Sequence, residues 1–461
     1  MDYKKPLFTS SEKIVDLKLD IGVEESSGLR PTEITAVLPT YNRGTQKYRA
    51  VLSNILQKMG RLVDKGVIDE LLIIDGSTKE GKMDERFLRE ILDIFLEYCG
   101  TFQKEIEFVQ SLPSGKQRAK QGRYEFSCSI LHQRDEFISS ILEEQDIFDE
   151  FSSVKEEDIK SGKGAALWLS VPASRGDVLT ILDSDIQTFE EFYVTDLAYP
   201  ILKGAKDREG YTSEVLFTKA SYLRQHDKGD RYGLGGRLAR LAVVPLFDLL
   251  SEKLGRDDFR SIGYPLSGEA GFHREALNNI QFSNGYDIEL SILFQFLNDY
   301  GLERMKQPSF GFYQHLPGSE SHVEKMLGGL SNAIFYWLKD YKICKKSKER
   351  DIRELVEECL GDYEDRALEY LENYRELGEK YRTQVTYKED DVEEDKERIK
   401  KYSEIIWSDL EEKNITDPAL LPKWGNIKSH LNQRPGYSYE GLKRALKTRV
   451  NKFTTNLVSE L

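Results

Sequence analysis

Short apolar runs alternate along the chain with stretches whose apolar residues recur every three or four positions, the pattern of buried strands and the helices laid over them. Ile34–Leu38 reads as a strand, Tyr48–Gly66 as a helix, Glu70–Ile74 as a strand, Asp84–Tyr98 as a helix and Ile106–Gln110 as a strand. Such alternation builds a mostly parallel sheet covered on both faces, an α/β fold. Residues 111–160 break the rhythm with a charged stretch, Ser114–Arg123, and a helix predicted over Phe126–Phe151. A connection that long carries its own structure or is a functional insertion. The alternation resumes with a helix at Lys163–Ser174, a strand entered at Gly176, a strand at Glu214–Lys219, a helix at Leu238–Leu254 and an acidic helix around Asp287–Tyr300. From about Asn332 the pattern changes to long Glu-, Lys- and Tyr-rich helices, including Ile352–Val385 and Glu393–Glu412. The charge run Lys388–Glu397 reads as a solvated helix face or linker rather than an interaction tail. The expected division is a lead-in at 1–33, a domain at 34–331 with an insertion at about 111–160, and a helical region at 332–461, with no internal repeat.

The strand entered at Gly176 carries the chemistry. Its apolar run ends in Asp183-Ser184-Asp185, two carboxylates one residue apart. Strand ends of this kind lie at the crevice of an α/β sheet, and two carboxylates there repel unless a cation sits between them. The pair therefore points to a divalent metal and, through it, to the phosphates of a nucleotide. The first strand ends in Pro39-Thr40-Tyr41-Asn42-Arg43-Gly44 and the second in Asp75-Gly76-Ser77-Thr78, on the same sheet edge. Pro39 would shape a wall there and Asp75 would accept hydrogen bonds from a base or ribose. Each ending alone is equally a turn leading to a helix cap.

Lys163 stands between Gly162 and Gly164 at a predicted helix start, where backbone N–H groups, the helix dipole and an ammonium together favour a phosphate. Gly164 stands where a nucleoside-triphosphatase loop needs Ser or Thr, so that motif is absent. The run Arg231-Tyr232-Gly233-Leu234-Gly235-Gly236-Arg237-Leu238-Ala239-Arg240, preceded by Lys228, is the best local anion site, with Arg237 able to grip a phosphate or carboxylate. Its alternative is a glycine-rich turn with surface arginines. Pro265-Leu266-Ser267-Gly268-Glu269 and Gly285-Tyr286-Asp287-Ile288-Glu289 offer acids to sugar hydroxyls, although an acid at a helix start also answers the helix dipole. His315, in a loop after an apparent strand, could complete a metal site, with His322 its neighbouring rival.

Composition narrows the picture. The chain has 461 residues, 39% of them hydrophobic and 11% aromatic, enough for a large packed core. No run of about 18 apolar residues occurs and the N-terminus lacks a signal-peptide core, so a cytoplasmic protein without membrane attachment is expected. The net charge of −14 argues against nucleic acid as partner. Cys99, Cys128, Cys344 and Cys359 are too scattered for a zinc motif or disulfide framework and read as reduced and structural.

Taken in order, Pro39 to Asn42, Asp75, Gly162-Lys163-Gly164, Asp183-Ser184-Asp185, Gly235-Gly236-Arg237, Pro265 to Glu269, Gly285 to Glu289 and His315 resemble the retaining glucosyl-3-phosphoglycerate synthases. These are GT-A-fold glycosyltransferases that move a sugar from a nucleotide donor to 3-phosphoglycerate. The resemblance covers roughly residues 33–330 apart from the 111–160 stretch. It implies a GT-A-like sheet with a helical C-terminal extension. Pro39, Thr40 and Tyr41 would line the base pocket with Asp75 or Ser77 nearby. Lys163 would neutralise diphosphate beside Asp183 and Ser184. Asp183, Asp185 and His315 would surround Mg²⁺ or Mn²⁺. Gly236, Arg237, Leu266, Ser267 and Glu269 would hold a small anionic acceptor, and Glu289 would contact the transferred sugar or acceptor, making Asp185, Lys163 and Glu289 the catalytic candidates.

Three positions depart from the family. Arg43 follows the Pro-X-X-Asn element where an acid is usual, Ala239 replaces a hydroxyl residue and Pro317 replaces an asparagine. The last two remove hydrogen-bonding groups from the acceptor side. The long amphipathic tail is compatible with a homodimer. Two rival functions share the strand-end acids: a sugar-phosphate nucleotidyltransferase, and a catalytically silent sugar-nucleotide-binding scaffold.

Overall fold

The structure, a computed structural model, describes residues 10–21, 23–25, 28–30, 32–99, 103–111, 117–125, 127–151, 154–206, 215–316, 320–340, 352–412 and 418–459. Glu214, Pro317 and Cys344, singled out in the sequence, lie outside these residues.

Seven strands form the central sheet: β1 (Ile34–Thr40), β2 (Glu70–Asp75), β3 (Ser127–His132), β4 (Val178–Ile181), β5 (Phe217–Lys219), β6 (Ala270–His273) and β7 (Met305–Lys306). Their order is β7-β5-β6-β4-β1-β2-β3, and β6 alone runs against its neighbours. Successive residues point to opposite faces of a strand. Ala36 and Leu38 accordingly join one core with helices α1 (Gln46–Asp64), α2 (Glu85–Cys99) and part of α5 (Phe192–Lys206). Val37 joins the other core with α4 (Lys163–Ala173), α6 (Val244–Leu254) and α7 (Ile288–Asp299). Burial on both faces is why β1, β2 and β4 read as continuous apolar runs.

Parallel register carries three strand ends to one edge. Val37 pairs with Ile181, Thr40 with Asp75, and Asp75 with His132. The loops after β1, β2 and β4 therefore emerge together, as the sequence implies.

The predicted helix over Phe126–Phe151 is corrected. Ser127–His132 is β3, paired in parallel with β2, and only then does α3 (Glu136–Glu144) begin, its start fixed by Asp135, whose side chain accepts from Phe137 N. The long apolar stretch misled because strand and helix follow one another with two turn residues between. The Leu238–Leu254 helix opens with a π-helical segment, Leu238–Val243, before α6. A smaller three-stranded sheet beside the site joins Tyr232–Leu234, Ser221–Asp227 and Ser309–Tyr313.

The helical region packs onto the second core through α8 (Glu320–Asp340), α9 (Ile352–Gly361), α10 (Tyr363–Lys380), α11 (Glu389–Glu412), α12 (Trp424–Gln433) and α13 (Tyr439–Ser459). Trp168 of α4 stacks on Trp424 of α12 with ring centroids 4.3 Å apart, and each indole donates to a carbonyl of the other segment, Pro422 O and Trp168 O, at 2.8 Å. On α13, Thr454 Oγ1 accepts from Ile130 N of β3 at 2.9 Å, which satisfies a donor on the outermost strand. Among the described residues, no helix is long and apolar enough to cross a membrane.

Candidate active site

The loop after β1 is built by short side chains. Asn42 Oδ1 accepts from Gly44 N at 2.8 Å, Gly44 takes a left-handed φ of 65°, and Thr45 caps α1 by accepting from Tyr48 N. This turn carries Arg43 over to the end of the neighbouring strand β4, where its Nη2 lies 2.7 Å from Asp185 Oδ2. Tyr41 is exposed, whereas Thr40 is buried and donates to Asp75 Oδ1 at 2.8 Å. Asp75 is fully buried; Ser77 Oγ donates to Oδ1 at 2.7 Å, and His132 Nε2 lies 3.5 Å from Oδ2. Burial pushes the Asp75 pKa up to about 6, against the hydrogen bonds from Ser77 and Thr40 that favour the anion. Ser77 Oγ in turn accepts from Asn42 N at 2.6 Å, so these groups knit the β1 and β2 loops together.

Beyond β4, Asp183-Ser184-Asp185 is held from both sides. Tyr48 OH and Ser184 Oγ are hydrogen-bonded at 3.0 Å, and Leu316 N donates to Asp185 O at 3.1 Å. That last bond, with the Ile186–His315 bridge, places His315 beside the acids. Its Nδ1 stands 3.8 Å from Asp185 Oδ2, 3.1 Å from Arg224 Nη2 and 2.5 Å from the Leu316 carbonyl. Burial, and then Arg224, push the His315 pKa down to about 3, so the ring is neutral at pH 7. Only the tautomer that donates Nδ1–H to Leu316 O leaves Nε2 a lone pair for a cation.

Lys163 begins α4 and reaches two acids: its Nζ lies 2.6 Å from Asp183 Oδ1 and 2.9 Å from Glu289 Oε1 in the first turn of α7. Burial disfavours its charge, but these carboxylates outweigh it and hold the ammonium's pKa above its ordinary value. Asp183 is held below its ordinary value because Lys163 outweighs the opposing burial, while burial dominates at Asp185 and raises it against Arg43. Gly268 packs against the pair; a Cβ there would stand 2.5 Å from Lys163 Nζ and 2.7 Å from Asp183 Oδ2. The flanking Gly162 and Gly164 owe their identity to Ser283 and Asn284, whose atoms a Cβ at either glycine would meet.

Glu269 is fully buried and receives Tyr313 OH at 2.6 Å and Tyr222 OH at 3.0 Å. Burial, reinforced by the charge of Asp183, raises its pKa to about 7. Ser267 lines a pocket with Lys163, Lys219, Gly268 and Glu289, and its buried hydroxyl has no hydrogen-bond partner. Leu266 is partly buried between both cores. Gly236 has φ 70°, and a Cβ would stand 2.6 Å from Tyr264 OH; the half-buried Arg237 follows it. Ala239 is buried in the first core.

The basic cluster is reassigned in part by the structure. Arg231 and Lys228 pair with Asp391, the former at 2.7 Å. Arg240 is buried against Asp395 at 2.7 Å, under the rings of Tyr374 and Tyr387. Three of the four cations thus fasten the helical region to the glycine-rich loop. The same pairs correct the Lys388–Glu397 run: it is not merely a solvated face, since Asp391 and Asp395 are buried.

Sequence reasoning missed Lys219, Arg224, Tyr222 and Tyr313. Lys219 is buried, donates to Ser267 O at 2.7 Å, and has its pKa lowered by burial to about 8. Its only signal is a lysine closing the apolar run Val215-Leu216-Phe217-Thr218.

For a divalent metal, two carboxylates and a neutral imidazole are the right hard-oxygen and nitrogen donors. Among the described residues, no three acidic, histidine or cysteine groups are already gathered for an ion. The donor chemistry fits, and the carboxylates are turned to Lys163 and Arg43 instead.

No family model matches the chain. It is 33% identical over 168 residues, 35% of this chain and 47% of the relative, to a glucosyl-3-phosphoglycerate synthase of Mycolicibacterium paratuberculosis. It is 26% identical over 287 residues (61% and 66%) to that of Mycobacterium tuberculosis, and 28% over 208 residues (45% and 58%) to that of Petrotoga mobilis. The match thus spans about half to two thirds of these curated relatives' length. Among solved structures, mannosyl-3-phosphoglycerate synthase from Rubrobacter xylanophilus superposes with a TM-score of 0.48 at 21% identity, covering 74% of this chain and 82% of that one. Glucosyl-3-phosphoglycerate synthase from Mycobacterium tuberculosis with Mn²⁺, UDP-glucose and phosphoglyceric acid gives 0.47 at 22%, covering 73% and 86%. By sequence, the chain is a relative of the glucosyl-3-phosphoglycerate synthases, the family its ordered motifs resemble.

Proposed function

We propose that the protein is a metal-dependent retaining glycosyltransferase that moves a hexose, glucose by the names of its relatives, from a nucleotide-diphosphate sugar to 3-phosphoglycerate or a closely similar anion. The observation that carries the reading is the meeting, at one sheet edge, of Asp183, Lys163 and Glu289 with Asp185, Arg43 and His315.

Asp183, Asp185 and His315 would hold Mg²⁺ or Mn²⁺, which when bound neutralises charge on the departing diphosphate. Lys163 is fixed between two acids, so its ammonium needs no reorganisation to face the same developing charge. Pro39, Thr40, Tyr41 and the Asp75–Ser77 turn form the donor side. Gly236, Arg237, Leu266 and the unpaired Ser267 hydroxyl form the acceptor side, Arg237 supplying a planar cation suited to phosphate or carboxylate. Glu289 lies between the two, within reach of a sugar hydroxyl. The departing phosphate oxygen takes the acceptor proton, which removes the need for a side-chain base.

The test is a matrix of UDP-glucose, GDP-glucose and GDP-mannose against glycerate, 3-phosphoglycerate and related phosphates, with Mg²⁺ or Mn²⁺. Nucleoside diphosphate should be released only when donor, acceptor and metal are together, and Asp185→Ala should abolish it. No metal-dependent release in any pairing defeats the proposal. Pyrophosphate release from a sugar phosphate and a nucleoside triphosphate would make the protein a nucleotidyltransferase.

A further inference from the structure

Each carboxylate of the Asp183-Ser184-Asp185 loop already faces a cation of the chain itself. Asp183 has Lys163 at 2.6 Å and Asp185 has Arg43 at 2.7 Å. The two cations are held differently. Lys163 is gripped by a second acid, Glu289, and its side chain is 27% exposed. Arg43 sits at the tip of the β1 turn with 43% of its side chain exposed, next to Gly44, whose positive φ makes the corner. A divalent ion ligated by Asp185 through Oδ2 would take the oxygen that Arg43 occupies, and one ligated through Oδ1 would still stand against the guanidinium's charge. Two further positive charges beside Lys163 and Arg43 also leave an excess that only an arriving anion offsets. The diphosphate of a nucleotide brings that charge, and a guanidinium exchanges readily between carboxylate and phosphate oxygens because both match its planar fork.

We propose that Arg43 is a resident cation that holds Asp185 in the unliganded protein and transfers to the diphosphate when metal and nucleotide enter, so that metal binding depends on nucleotide. This rests on reading the site as a nucleotide-sugar site, and adds to it a residue that sets the order and coupling of binding. The exposure of Arg43 lets the side chain swing out, while the Asn42 and Thr45 contacts keep the turn beneath it in place.

The experiment measures Mn²⁺ binding to the full chain by electron paramagnetic resonance and calorimetry, alone and with UDP or GDP, for the wild type, Arg43→Gln and Arg43→Lys. Wild type should bind Mn²⁺ weakly alone and on the order of tenfold or more tightly with its nucleotide. Arg43→Gln should bind Mn²⁺ alone on the order of tenfold more tightly than wild type, the size of one near-surface charge interaction, and lose most of the tightening by nucleotide. Arg43→Lys keeps the charge but not the planar fork, so it should bind Mn²⁺ alone as weakly as wild type and gain less from nucleotide. Unchanged thermal midpoints show that the variants fold. If Arg43→Gln binds Mn²⁺ alone no more tightly than wild type, the inference falls and the function stands. If wild type shows no Mn²⁺-dependent binding of either nucleotide, the functional reading falls and takes the inference with it.

Discussion

Replacing Lys163 with methionine keeps the length of the side chain and removes its charge. In the structure that charge faces Asp183 at 2.6 Å and Glu289 at 2.9 Å, with the lysine side chain 27% exposed. Two consequences can be sized separately. The two carboxylates lose their common cation in a partly wet setting, which costs about 1–3 kcal/mol of stability, below the value for a fully buried pair. The transition state loses a preorganised cation next to the leaving diphosphate, a loss of about 3–4 kcal/mol, or roughly 10²–10³ in turnover. Nucleoside-diphosphate release at saturating donor, acceptor and Mn²⁺ reads the second effect, and a thermal melt reads the first. A Lys163→Met protein that turns over within about threefold of wild type would refute the role given to Lys163, since a purely structural lysine is the remaining explanation. A protein that has lost its cooperative melt would show that the pair is chiefly structural.

Three further outcomes follow from the geometry. Gly268→Ala places a methyl group 2.5 Å from Lys163 Nζ and 2.7 Å from Asp183 Oδ2, at the movable end of a lysine, so activity should fall roughly 10- to 100-fold with little change in melting temperature; a large melting shift with normal turnover would contradict this. Asp395→Ala leaves the buried Arg240 guanidinium without its carboxylate and should destabilise the chain by about 3 kcal/mol, with a raised acceptor KM because the glycine-rich loop loses its anchor; unchanged values for both would show that the pair does not position that loop. Because burial raises Asp75 from 3.8 to about 6, the folded protein keeps a proton that the unfolded chain gives up, so this contribution is present below about pH 4 and is lost as pH rises through 6. Urea midpoints should therefore show wild type losing roughly 2–3 kcal/mol relative to Asp75→Asn between pH 4 and 7, and a flat difference would contradict the assignment.

The parts of the site that the sequence reveals are those made by local patterns. β1, β2 and β4 are buried on both faces, so their apolar runs stand out, and the polar residues that end them mark the crevice edge. Asp75, Asp183 and Asp185 could be placed there because parallel register aligns strand ends without long-range information. Lys163 is marked in the sequence by its glycines, at which a Cβ would meet Ser283 and Asn284. What the sequence hides depends on distant pairing. β6 is only four residues, Ala270-Gly271-Phe272-His273, too short for a period, yet it lies between β4 and β5 in the sheet. Arg240 and Asp395 are 155 positions apart, so a buried ion pair appears in the sequence as a surface arginine and one acid in a charged helix. Ser127–His132 shows its strand character only through pairing with β2. Arg43 was visible as an oddity, but its meaning needed the position of Asp185.

The central claim is retaining transfer of a hexose to an anionic acceptor, and the product itself tests it most directly. The protein is incubated with its nucleotide-glucose donor, 3-phosphoglycerate and Mn²⁺, and the anomeric proton of the product is read by nuclear magnetic resonance, with an EDTA control. The account predicts a new α-configured glucoside of 3-phosphoglycerate, formed in step with nucleoside diphosphate and absent with EDTA. A β-configured product, or nucleoside diphosphate released with free glucose and no glycoside, would contradict it.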